Sequence, residues 1–163
     1  IEIGETTVEN PTDYDSRANL VWSASNALNG LIGAGVPQDW TTHMIGHEIT
    51  AMHGLDHAQT LAIVLPSVMT VKKLEKQEKL LQYAERVWGL TAGDATEKID
   101  AAIEKTRAFF ETMQIKTRLS DYGIKQENIT KLVAQLEQHG MVKLGEHGDI
   151  TPEVSRQILE LSL

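Results

Sequence analysis

Apolar residues in this 163-residue chain recur at every third or fourth position, and no run alternates convincingly between apolar and polar, which confines the backbone to helices. Residues 16–32 carry Ala18, Val21, Trp22, Ala24, Ala27, Leu28 and Leu31 on more than one helical face, a pattern that predicts a central, largely buried helix. Gly33, Gly35 and Pro37 break it. A second helix is expected over residues 38–52, ending near Gly54, and a third over residues 56–68. The third is apolar nearly all round and so belongs inside, with Pro66 expected to end or kink it. Residues 71–88 set Lys72, Lys73, Lys76 and Lys79 opposite Leu74, Leu81, Ala84 and Trp88, as in a surface helix with one buried face.

Asp94-Ala95-Thr96-Glu97 has the spacing of a capping box, and Ile99, Ala102, Ile103, Thr106, Phe110 and Met113 follow at helical intervals. Ile129, Leu132, Val133 and Leu136 form another stripe, with Asn128 as its expected N-cap and Gly140 as its stop. Thr151-Pro152 reads as N-cap plus first-turn proline for a closing helix with Val154, Ile158 and Leu161. The opening Ile1-Glu2-Ile3-Gly4 resembles the last turn of a helix closed by glycine, and with no initiating Met it points to a piece of a longer polypeptide. No internal repeat or low-complexity run interrupts the series. The expected fold is all-α, a helical bundle forming one domain over residues 1–163.

Composition narrows the chemistry. With no Cys, the chain has neither a disulfide framework nor a thiol nucleophile. Residues 1–70 hold eight acidic side chains against a single basic one, Arg17, whereas the remainder holds fifteen against fourteen. Neither half offers the Lys/Arg footprint that phosphate backbones require, so nucleic acids and anionic membranes are poor partners. The longest apolar stretch, Leu61 to Leu65, is far below the roughly 20 residues of a membrane span, and a cytoplasmic location is expected.

Within the acidic half, four of the six histidines fall in DWTTHMIGHEITAMHGLDH, residues 39–57. His43 and His47 lie one turn apart on one helical face. Gly54 should end that helix, and a turn at Gly54-Leu55 that folds the next helix back would bring His57 beside His43. Two helices meeting at their histidines make half of a metal site. His53 and His139 sit at expected helix ends and His147 in a glycine-flanked loop, so none of these three is given a role. Glu48 points about 100° away from His47 round the helix, and Asp56 suits an N-cap.

Spacing excludes the familiar metalloprotease helices. H-E-x-x-H fails because Ala51 stands where the second histidine belongs, and H-x-x-E-H fails because Gly46 replaces its glutamate. There is no G-x-S-x-G elbow or P-loop, and the GLIGAG run at residues 30–35 reads as a turn. Catalytic zinc ordinarily takes three protein ligands, so two imidazoles leave the site incomplete. On residues alone, a non-catalytic helical metal-binding module and a purely structural bundle both stay open.

The run Gly35-Val36-Pro37-Gln38-Asp39-Trp40-Thr41-Thr42-His43, continuing through Gly46-His47-Glu48 to Met52-His53-Gly54-Leu55-Asp56-His57-Ala58 and on to Pro66, resembles the iron-containing (group III) alcohol dehydrogenases. The nearest branch is that of NADP-dependent aldehyde reductases and butanol dehydrogenases, which share His57-Ala58 where many members read H-G. The similarity extends to Tyr83-Ala84-Glu85-Arg86-Val87-Trp88 and Leu119-Ser120-Asp121-Tyr122-Gly123. The resemblance implies the metal-binding C-terminal domain of a two-domain, dehydroquinate synthase-like fold. It implies a metal-dependent oxidoreductase that interconverts primary alcohols and aldehydes by hydride transfer with NADP(H) or NAD(H). The nicotinamide cofactor would be bound mainly by an N-terminal domain absent from this chain, which alone should be inactive. By the same resemblance, His43 and His57 would be two ligands of Fe²⁺ or Zn²⁺, completed by an Asp and a His preceding Ile1. His47 would be the catalytic histidine beside the nicotinamide, and the full-length protein would be a homodimer acting on a small aldehyde or alcohol.

Overall fold

A computed structural model describes residues 1–163. Eight α-helices follow one another: α1 (Gly4–Glu9), α2 (Tyr14–Leu28), α3 (Thr41–His53), α4 (His57–Val71), α5 (Gln77–Trp88), α6 (Ala95–Thr112), α7 (Gln126–Gln138) and α8 (Pro152–Leu161). One 3-10 turn, Leu119–Tyr122, precedes α7. The sole extended pairing is an isolated antiparallel bridge between Leu144 and Ile150, so the all-α expectation holds.

Helix α4 is the axis of the bundle and packs against α3, α6 and α8. Its apolar circumference explains this: Ala62, Ile63, Val64, Pro66, Val68 and Met69 are all buried, which satisfies a helix without a polar face. The main core joins Ile45 and Ile49 of α3 to Ile63, Val64 and Val68 of α4, with Ile129, Leu132 and Leu136 of α7 and Ile158 and Leu159 of α8. A smaller cluster of Met69, Leu80, Ile99 and Ile103 sits where α5 and α6 meet α4. No helix is long and apolar enough to cross a membrane.

Several expectations need correction. Gly4 opens α1 instead of closing a helix. The segment read as a central buried helix is α2, and it lies outside: Trp22 is 71% exposed and Leu28 76%, with Ser16 its one buried residue. Apolar residues on several faces signal a need for cover, but α2 packs chiefly on short α1, and Trp22 and Leu28 stay exposed. It starts where the Asp13 carboxylate accepts the Ser16 N–H and stops before the Asn29 side chain takes the Leu31 N–H. The second helix begins at Thr41, three residues later than expected, where Asp39, just ahead of the Trp40 N-cap, accepts the Thr41 N–H.

Pro66 does not end α4, which continues to Val71. The missing N–H and ring clash cost on the order of 3 kcal/mol in a helix interior. Packing of this helix on three neighbours offsets that cost, and the Thr70 hydroxyl donates to the Pro66 carbonyl. Residues 71–88 are not one surface helix, because the chain turns through 72–76. There Leu74 is 80% exposed while Lys72 is only 5% exposed, the reverse of the amphipathic reading, and Leu80 supplies the buried contact. Acidic partners distant in sequence draw Lys72 and Lys76 inward. Asn128 is not the N-cap of α7; it sits inside the first turn and its side chain accepts the Lys125 N–H. In α8, Leu159 is buried where Leu161 was expected.

Candidate metal centre

The site is built on the turn between α3 and α4. Gly54 adopts a left-handed conformation, φ 72°, that a side chain would resist, and its N–H donates to Thr50 O to close α3. Leu55 is buried and anchors the turn in the core. Asp56 then caps α4 in a box with Gln59, whose side chain accepts the Asp56 N–H. His57 is thereby the first residue of α4, at the height of the first turns of α3.

The two helices touch closely at Gly46. A methyl group there would stand 2.8 Å from Thr60 Oγ1 and 3.3 Å from Thr60 Cβ, so only glycine permits this separation. Thr60 is fully buried, and its hydroxyl donates to the His57 carbonyl at 2.9 Å, tying the contact point to the first turn of α4.

The spacing-based expectation for the histidines is met: the ring centres of His43 and His57 are 5.2 Å apart. His47 joins them at 5.7 Å from His57 and 6.3 Å from His43. An ion about 2.0–2.1 Å from an imidazole nitrogen lies roughly 3.2 Å from the ring centre, so two ligand rings at near-tetrahedral angles have centres about 5 Å apart. The His43–His57 pair fits that distance best. Trp40, just before α3, meets the His43 ring edge-on at 4.9 Å.

Burial, and then the neighbouring His57 and His47, hold His43 below the usual imidazole range. It is therefore neutral near pH 7, with a ring lone pair available, which is the form that binds a cation. The half-buried His43 and the exposed His47 and His57 form a cluster open on its outer side.

The nearby carboxylates are used elsewhere. Asp39 pairs with Lys76, and Asp56 is a helix cap. Glu48 is 4% exposed on the far face of α3, where the His139 Nδ1–H donates to its Oε1 at 2.6 Å. Accordingly, no three or more His, Asp or Glu side chains of this chain can hold an ion by themselves. His53 is apart from the cluster, its Nε2 buried without a partner, and burial lowers its proton affinity.

Sequence reasoning missed three contributors. Gly46 could have been found, because a glycine inside a helix costs about 1 kcal/mol relative to alanine and asks for a packing reason. Trp40 could have been suspected from its place one turn before His43. The Glu48–His139 bond spans 91 residues and has no local signal.

The Fe-containing alcohol dehydrogenase family, C-terminal, matches residues 1–159. The chain is 61% identical over 160 residues to the NADPH-dependent aldehyde reductase YqhD of Escherichia coli, covering 98% of this chain and 41% of that protein. It is 35% identical to NADP-dependent alcohol dehydrogenase 3 of Entamoeba histolytica, with 98% and 40% coverage. The solved structure of the substrate- and cofactor-free form of the aldehyde reductase YqhD from E. coli superposes with a TM-score of 0.98 at 59% identity, covering 99% of this chain and 43% of that one. NADH-dependent butanol dehydrogenase A of Thermotoga maritima superposes with a TM-score of 0.90 at 29% identity, covering 99% and 42%. The chain thus spans about two fifths of the length of these relatives. With its helices, its turn at Gly54 and its histidines in place, it belongs to the Fe-containing alcohol dehydrogenase family and corresponds to that family's C-terminal part.

Proposed function

We propose that this chain is the metal-binding part of an oxidoreductase that interconverts primary alcohols and aldehydes with a nicotinamide cofactor. The observation that carries the proposal is the convergence of His43, His47 and His57 across the α3–α4 turn in a chain of this family. His43 and His57 are two of the metal ligands, and the others come from sequence outside this chain, since no further His, Asp or Glu here completes the set. Iron and zinc both suit such a donor set. When bound, the ion supplies Lewis acidity at the substrate oxygen.

The chain's own residues bind, orient and exchange protons. His43 and His57 act as neutral imidazoles, fixed by the buried turn at Leu55 and by the Gly46–Thr60 contact. His47 is exposed one turn from His43, so its ring reaches the open side of the cluster where a small aldehyde or alcohol would sit. There a ring nitrogen can pass a proton to or from the substrate oxygen, the role imidazole serves best near neutral pH. The nicotinamide cofactor is held mainly by a preceding domain. NADP(H) is favoured over NAD(H) by the relative at 61% identity, which is NADPH-dependent. A homodimeric full-length protein completes the proposal.

The test uses the full-length protein with aldehyde and NADPH. His43→Ala and His57→Ala should lose the metal together with activity, whereas His47→Ala should keep the metal and lose about 100-fold or more in kcat, the scale of one acid–base group. Equal metal content in all three variants would overturn the ligand assignments. Metal retention by a wild-type protein that reduces no aldehyde would leave a non-catalytic metal-binding module.

A further inference from the structure

Lys76 lies outside the histidine cluster, yet its contacts converge on Asp39, which accepts the first N–H of α3. Its Nζ donates to Asp39 Oδ2 at 2.8 Å and to both carboxylate oxygens of Glu146 at 2.7 Å. The three side chains are 21%, 18% and 20% exposed, so the triad is largely withdrawn from water. Burial works against the charge on Lys76, but its bonds to Asp39 and Glu146 prevail and hold its pKa above the ordinary lysine value. Burial likewise pushes the Asp39 carboxyl up, and the bonds from Lys76 and Thr41 bring it below the usual range. Lys76 and Asp39 are therefore both ionised near neutral pH.

Asp39 has a second task. Its Oδ1 accepts the N–H of the fully buried Thr41 at 2.8 Å, satisfying one of the free donors at the start of α3. Trp40 is thus held between two fixed residues, and its ring lies against the edge of His43. A continuous chain of contacts runs from the 141–150 loop through Glu146, Lys76 and Asp39 to Trp40 and the His43 imidazole.

We propose that Lys76 is a positioning residue for the metal centre: by pinning Asp39 to Glu146 it fixes the first turn of α3 and, through Trp40, the orientation of the His43 ring. The proposal rests on His43 being a metal ligand. Groups that orient ligand imidazoles typically change metal affinity by about 10- to 100-fold when removed. The same loop is also held by Lys72, which donates to Asp149 at 2.7 Å, so the fold keeps one anchor when Lys76 is altered.

The experiment uses full-length protein loaded with Co²⁺, whose visible absorption reports ligand geometry, followed by transfer of the metal to a chelator. Lys76→Met should change the absorption envelope and speed metal loss by ~10-fold or more, lowering kcat with little change in KM. Lys76→Arg, which keeps a cation in reach of both carboxylates, should stay within about threefold of wild type. Asp39→Asn retains an acceptor for Thr41 but drops the charge, so it guards against a Lys76→Met protein that does not fold. It should shift spectrum and loss rate in the same direction, and the double variant should be no worse than the more severe single one, because both cut the same link. A lower melting temperature with wild-type spectrum and wild-type loss rate in Lys76→Met or Asp39→Asn would reduce the triad to an ordinary ion pair and overturn the proposal. Failure of the wild-type protein to take up Co²⁺ would instead overturn the metal assignment on which it stands.

Discussion

Gly46→Ala sets two effects of known size against each other at the point where α3 and α4 touch. Replacing an interior helical glycine by alanine favours the helix by about 1 kcal/mol. The added methyl, however, would lie 2.8 Å from Thr60 Oγ1 and must retreat by roughly 0.7 Å to reach an ordinary contact of about 3.5 Å. Thr60 cannot simply rotate away, since it is fully buried and its hydroxyl is committed to the His57 carbonyl. Overpacking of this kind costs about 1–3 kcal/mol, which leaves a net loss between roughly zero and 2 kcal/mol. At about 2–4 °C per kcal/mol for a domain of this size, calorimetry on the full-length protein should show a fall of up to ~8 °C. The metal should suffer more than the fold. Opening the helices by ~0.7 Å moves His57 from His43 by several times the roughly 0.2 Å within which ligand distances are held. Chelator competition should show at least ~10-fold weaker binding, and Gly46→Ala/Thr60→Ala, which removes the clashing oxygen, should recover most of it. A Gly46→Ala protein that melts higher and binds metal as tightly as wild type would show that the close approach does not set the site's geometry.

Two further expectations concern stability. Asp94 accepts the Glu97 N–H at the start of α6 and Glu97 returns the bond, so Asp94→Ala should cost about 1 kcal/mol, read as a melting drop of ~3 °C. Asp39 has its folded-state pKa depressed below the unfolded value, so its contribution is complete above pH 4 and is lost as the pH falls through the folded pKa. Acid titration followed by circular dichroism should therefore show a shallower loss of stability below pH 4 in Asp39→Asn than in wild type, and identical slopes would refute the linkage.

What the sequence made legible was local. The caps Asp56, Asp94 and Thr151 act within three residues of themselves and were read directly, as was the stop at Gly54. The His43–His57 pairing was legible for the same reason, since one three-residue turn determines it. Features whose partners lie far along the chain were not. Lys72 and Lys76 look like solvent-facing lysines until Asp39, Glu146 and Asp149 are brought beside them, 37 to 77 positions away. Leu74 carries the right residue type for a buried stripe but falls in the turn those ion pairs impose. For α2, composition stated a demand for cover that the packing on α1 leaves largely unmet, with Trp22 and Leu28 exposed.

Because both imidazoles ride on consecutive helices joined by a three-residue elbow, their approach to one another is set by contacts near in sequence, and only the orientation of the His43 ring draws on the distant Lys76–Asp39–Glu146 link. Such contacts form early and fast. During synthesis the 41–71 hairpin can therefore bring the two rings toward one another before long-range packing with α7 and α8 exists. Grafted onto an unrelated helical scaffold, the hairpin would carry the approach of the two rings with it, but it would need Asp39, Trp40 and a cationic partner for Asp39 to keep the orientation of the His43 ring.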